Sequence, residues 1–126
     1  MTEPKLHNIM RLQMAVGMAA LYLRDILPES SDKNELAAEM VALHDITGKW
    51  LRGEYTLVES GDFDARTKAR IETIAVADQW RELAKKARAY IAKRRAPKNG
   101  AKPRRQVLDA LNQEIQACPV VRRASA

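Results

Sequence analysis

Apolar side chains recur along most of this chain with the three-to-four-residue spacing of amphipathic helices. Wound at about 100° per residue, the stretch from Lys5 to Leu27 gathers Ile9, Leu12, Val16, Ala19, Ala20, Leu23, Ile26 and Leu27 on one arc. Met10, Met14, Met18, Leu21 and Tyr22 occupy much of the other side, interrupted only by Arg11, Gln13, Arg24 and Asp25. A helix apolar on two sides is either central in a bundle or buried in an interface between copies. The central position is the first expectation, and a homodimer seam through this helix is the second. Pro28 ends the pattern, because it offers no N–H and clashes with the preceding turn.

PESSD then supplies a turn, with Asp32 and Glu35 at the spacing of a capping box. A second helix is expected from about Lys33 to Arg52, on a stripe of Leu36, Ala37, Met40, Val41, Leu43, Trp50 and Leu51 that encloses His44 and Thr47. Gly53 is the expected stop. In GEYTLVESGDF (53–63), Tyr55 to Val58 favour an extended backbone, but a single short strand has no partner in the chain. A loop that packs Tyr55 and Leu57 on the bundle is therefore expected.

Asp62 or Asp64 is a candidate cap for a third helix that runs to about Ala92. Ala69, Thr73, Val76, Ala77, Trp80, Leu83, Ala84, Ala87, Tyr90 and Ile91 form its apolar arc. Beyond Ile91 the pattern fails, since Arg94 would fall in the middle of that arc. APKNGAKP reads as a linker. Pro103 suits the first turn of a short fourth helix whose narrow face is Val107, Leu108, Leu111 and Ile115, joined by Cys118 and closed by Pro119. The expected fold is all-α, a compact three- to four-helix bundle in all, divided into a helical bundle (1–95), a basic linker (96–103), a short C-terminal helix (104–118) and a frayed tail (119–126). Its basic C-terminal segment is expected to be partly flexible.

Composition agrees with this and adds a direction. At 126 residues and 46% hydrophobic side chains, the chain is long enough to bury a core of its own. Five glycines and five prolines are too few for a chain of many β-turns. The net charge of +6 conceals a split. Residues 1–82 carry a net −4, and residues 83–126 carry +10. Between Leu83 and Leu108 stand ten Lys/Arg and no Asp or Glu. One-signed density of this kind repels itself and marks a surface that meets an anion. Arg81, Lys85 and Arg88 form a row beside the apolar arc of the third helix, whereas Lys93, Arg94, Arg95, Lys98, Lys102, Arg104 and Arg105 lie on its end, the linker and the start of the fourth helix. Helical spacing pairs Asp78 with Arg81 and Glu82 with Lys86.

Catalytic chemistry finds little support. His7 and His44 are the only histidines, and neither has the Glu-x-x-His spacing of a di-iron bundle. Cys118 has no second Cys for zinc or a disulfide and no evident activating base. Asp62 with Asp64, and Glu35 with Glu39, are explained by a helix start and a solvated face. No glycine-rich phosphate loop is present. No catalytic residue, metal or cofactor is therefore assigned. The apolar run Met14–Leu23 is ten residues, too short for a membrane span of about eighteen or more. The chain is read as a cytoplasmic protein.

The ten residues Arg81, Lys85, Arg88, Lys93, Arg94, Arg95, Lys98, Lys102, Arg104 and Arg105 are the expected binding surface. Nucleic acid, DNA or RNA, is the expected partner, held by its phosphates with little sequence preference. The alternative is an acidic protein surface, with the first helix and the Tyr55–Val58 segment making the contact. A membrane partner ranks last, for want of an amphipathic helix with exposed bulky residues beside the basic segment.

Overall fold

The computed structural model describes residues 3–60 and 63–121, with side chains for all of these except 53–60 and 63–66. Four helices follow one another: α1 (Leu6–Asp25), α2 (Ser31–Ser60), α3 (Phe63–Ala92) and α4 (Ala101–Ala117). No strand occurs among the described residues.

Each boundary has a local cause. At the start of α1 the Asn8 side-chain oxygen accepts the Lys5 amide at 2.9 Å, which satisfies a donor that the helix itself cannot. At its end the amides of Ile26 and Leu27 both turn back to the Tyr22 carbonyl, and Pro28 forbids continuation. α2 is capped by Ser30 rather than by Asp32: the Ser30 hydroxyl accepts the Lys33 amide at 3.2 Å, and its carbonyl accepts the Asn34 amide at 3.1 Å. Lys33 is buried and straps the turn, its ammonium donating to the Leu27 carbonyl at 3.0 Å and to Glu29 at 2.9 Å.

Gly53 does not stop α2. The helical backbone continues to Ser60, so the expected loop over 53–63 is replaced by helix on either side of a short connection. A glycine inside a helix costs about 1 kcal/mol, and a long antiparallel partner in α3 offsets a cost of that size. The expected packing of Tyr55 and Leu57, and the Asp62 or Asp64 cap, lie outside the described residues and side chains.

α1 and α3 touch each other and both remaining helices, whereas α2 and α4 do not meet. The bundle is therefore a central α1–α3 pair flanked by α2 on one side and α4 on the other. Its core is Ile9, Leu12, Val16 and Leu23 of α1, Trp80 and Ile91 of α3, and Leu111 of α4, all fully buried. Ala19, Ala77, Ala84 and Ala87 are fully buried as well, and these small side chains allow close helix approach. α2 touches α1 only lightly, so its buried stripe is narrower than expected. Leu36, Met40, Leu43, Thr47 and Trp50 are buried, but Val41 and His44 face solvent.

The fourth helix belongs to the same core. Val107, Leu111, Ile115 and Cys118 are buried against α1 and α3, and the helix begins at Ala101, three residues before its expected start at 104. The segment before it is a defined turn. The Gly100 amide donates to the Pro97 carbonyl at 2.8 Å, and Asn99 takes a left-handed φ of 94°. Gly100 is buried, and a Cβ there would lie 2.9 Å from Pro97 Cδ and 3.0 Å from Ile26 Cγ2. Only glycine lets this turn close onto the end of α1.

One buried hydrogen bond ties α2 to α3. Trp80 Nε1 donates to Thr47 Oγ1 at 2.6 Å, and the same hydroxyl donates to the Leu43 carbonyl at 2.7 Å. Thr47→Val keeps the shape and strands the indole N–H. A loss of roughly 1–3 kcal/mol in urea-unfolding free energy is expected, and an unchanged midpoint would show that the bond contributes nothing.

Candidate nucleic-acid interface

The ten candidate cations divide by what they touch. Arg81 is buried, and its Nη2 donates to Asp78 at 2.6 Å, the expected i, i+3 pair. It does not join an exposed row with Lys85 and Arg88. α3 contacts three helices, so its buried arc is wide enough to take Arg81 in. Lys85 pairs with Glu82 at 3.4 Å, the acid expected to pair with Lys86. Lys86 crosses to Glu39 of α2 at 3.2 Å instead. Arg88 Nη1 donates to Asn112 of α4 at 2.9 Å. Arg81, Lys85, Lys86 and Arg88 are therefore engaged with the chain's own polar groups.

Where α3 ends the picture changes. Arg94 lies with its guanidinium carbon 3.4 Å from the centre of the Tyr90 ring, donates to the Tyr90 carbonyl at 2.9 Å and stands 3.9 Å from Asp32. Arg104 donates to the Ala92 carbonyl at 3.2 Å, so it caps the last turn of α3 from the first turn of α4. Its Nε is buried without a partner. The side chains of Lys93, Arg95, Lys98, Lys102 and Arg105 are exposed and make no hydrogen bond or ion pair among the described residues. All five lie on the segment that follows α3 and on the first turns of α4. The up-and-down order of the helices brings these two pieces to one end of the bundle.

That end is polarised. The start of α2 carries Asp32 and Glu35, and Asp32 faces Arg94. The α3–α4 side carries the free cations. Two helix dipoles act on them in opposite senses. Lys93 and Arg95 stand beyond the C-terminus of α3, where positive charge is favoured. Lys102, Arg104 and Arg105 stand in the first turn of α4, where positive charge is disfavoured, and that turn holds no acid and no side-chain cap. The first amides of α4 have no intrahelical acceptor, and an anion at this point is attracted by amides and side chains together.

The other candidate chemistry stays dispersed. His7 at the start of α1 and His44 on α2 are exposed and unbonded. Among the described residues no three His, Cys, Asp or Glu side chains converge as a metal site would require. Cys118 is buried, and burial pushes its thiol above the ordinary value despite nearby Arg81. Burial likewise raises the Tyr22 hydroxyl, near Arg104. No described helix is long and apolar enough to cross a membrane. Comparison with protein-family models, curated proteins and solved structures finds no match in any of the three.

Arg81 and Lys98 separate folding from surface charge. Arg81→Ala removes a buried stem and leaves Asp78 without its partner, so a loss of roughly 1–3 kcal/mol in unfolding free energy is expected. Lys98→Ala should stay within about 0.5 kcal/mol of the parent. Equal losses in urea titrations of the two variants would contradict this division. The Cys118 thiol should react slowly with a thiol reagent in the native protein and rapidly in denaturant; fast native labelling would contradict its burial.

Proposed function

We propose that this chain is a non-enzymatic, cytoplasmic helical protein that binds nucleic-acid phosphates, of DNA or RNA, through the cationic end of its bundle. The observation that supports this best is the set of five exposed, unpaired side chains: Lys93, Arg95, Lys98, Lys102 and Arg105. The remaining cations of the basic window find partners within the chain. These five sit together at one end without one. A polyanion supplies the missing charge, and each phosphate contact releases condensed counterions.

The reading favours phosphate over base recognition. A recognition helix places polar side chains in the major groove after a tight turn that joins it to a supporting helix. Here Asn112, a polar side chain of α4, is held by Arg88, and a basic segment, not a tight turn alone, joins α3 to α4. Stacking on single strands needs a free aromatic face. Tyr90, the aromatic nearest the cationic end, is covered by Arg94 and bonded to Ser30 at 3.0 Å.

Gel shifts on a duplex of arbitrary sequence across a salt series test the proposal. If all five cations meet phosphates, the slope of log binding constant against log salt approaches about −4 to −5. The triple variant Lys98→Ala, Lys102→Ala, Arg105→Ala should make that slope shallower by about 2 to 3 and weaken binding alike on every sequence. Absence of binding at low salt to both duplex and single-stranded probes would overturn the reading in favour of an acidic protein surface. So would a slope that the triple variant leaves unchanged.

A further inference from the structure

α1 buries one face in the bundle and keeps a second apolar face outside it. Met14 is 70% exposed, and Leu6, Met10, Met18 and Leu21 are between 42% and 52% exposed. These five fall on one stripe of the helix, about 22 Å long at 1.5 Å per residue. Arg11, the one Lys, Arg, Asp or Glu between Leu6 and Leu21, flanks the stripe and pairs with Glu114 of α4 at 3.1 Å, on the wall of the groove beside Met14. No charge therefore interrupts the stripe between Leu6 and Leu21. Five half-exposed side chains of this length present roughly 500 Å² of apolar surface, at the upper end of the largest patches on monomers.

We propose that a second copy of this chain covers the stripe, with the two α1 helices packed antiparallel about a two-fold axis through Met14. A two-fold interface must be self-complementary, and the spacing here is. Met10, Met14 and Met18 are four residues apart, so antiparallel pairing sets Met14 on Met14, Met10 on Met18, and the Leu6–His7 turn on Leu21. Shallow grooves of about 300 Å³ and about 250 Å³ run between α1 and α4 beside Met14 and Met18. Projecting methionines of one copy fit such grooves of the other, and thioether side chains adapt readily to them. The α4 residues on the groove walls, Pro103, Gln106, Val107, Ala110 and the Arg11-paired Glu114, extend the contact toward the ~800 Å² per partner of a standard interface.

Charge selects the antiparallel arrangement. The unpaired cations lie at the Asp25 end of α1. Parallel pairing would set two such ends side by side. Antiparallel pairing sends them to opposite ends of the dimer, separated by about the 30 Å length of a 20-residue helix, several times the ~8 Å screening length at physiological salt.

Sedimentation of the full chain from micromolar to millimolar concentration should show a reversible monomer–dimer equilibrium. Met14→Glu places two carboxylates face to face on the axis and should weaken the dimer at least about tenfold. Circular dichroism should match the parent, and so should the urea midpoint at concentrations low enough that both are monomers, since Met14 contributes to no core. Val41→Glu, equally exposed on α2 at 71%, should leave the dimer intact. Under mild oxidation Met14→Cys should cross-link to itself. Met10→Cys alone should not, because its two copies stand about 12 Å apart along the axis, beyond the ~7 Å reach of a disulfide. Cys118 is buried and does not compete. A monomer at every concentration would overturn the proposal. So would a dimer indifferent to Met14→Glu, or one that Met10→Cys bridges and Met14→Cys does not.

Discussion

The packing of α4 against α1 and α3 is the contact on which the rest of the molecule depends. Val107, Leu111, Ile115 and Cys118 bury one narrow face of that helix in the common core. Both ends of the cationic turn are thereby held, one by α3 and the other by α4. Gly100 then closes against Ile26, and Arg104 reaches back to the last carbonyls of α3. A charge run that reads as a mobile arm becomes a fixed end of the bundle. The difference matters for binding. A mobile arm loses backbone freedom when it meets a ligand, whereas this backbone has lost it already on folding, and only the rotamer freedom of the exposed side chains is left to lose.

The distribution of partners follows from the helix order. α3 lies between α2 and α4, so cations along its length meet Glu39 on one flank and Asn112 on the other, or acids on its own surface such as Asp78 and Glu82. Past Ala92 the chain leaves that setting. The acids of this end belong to the end of α1, the α1–α2 turn and the start of α2. Asp32 is opposed to Arg94, Glu29 to Lys33 and Asp25 to Arg24. Glu35 at the start of α2 and Asp109 on α4 make no ion pair among the described residues, so two acids remain against five unpaired cations. Such exposed pairs are individually worth under about 1 kcal/mol, but they decide which cations remain free for a partner.

The all-α class, the extents of α1 and α3 and the core of the bundle were legible from apolar spacing, because helical periodicity and burial are the same pattern seen twice. Leu12, Val16, Trp80, Ile91 and Leu111 all sit where their spacing puts them. What failed was punctuation. Gly53 and the β-favouring Tyr55–Val58 suggested a break, but a weak local preference yields to a long helical hairpin. Ser30, not Asp32, took the cap, and the two differ by one exposed residue in a polar run. At the candidate site the sign and position of the charge were legible, but its pairing was not. Burial of Arg81, the crossing of Lys86 to Glu39 and the stack of Arg94 on Tyr90 depend on which helices become neighbours. No spacing rule within one helix carries that information.

Among the described residues two surfaces thus remain without a partner, one apolar along α1 and one cationic at its far end. The most direct measurement of the cationic one is a nuclear magnetic resonance titration of the ¹⁵N-labelled protein with a short duplex at low salt. The account predicts that amide shifts concentrate on residues 93–105, reverse on addition of salt and are nearly absent along the exposed face of α2. Shifts centred on the α1 stripe or on α2, or none at all at low salt, would contradict it.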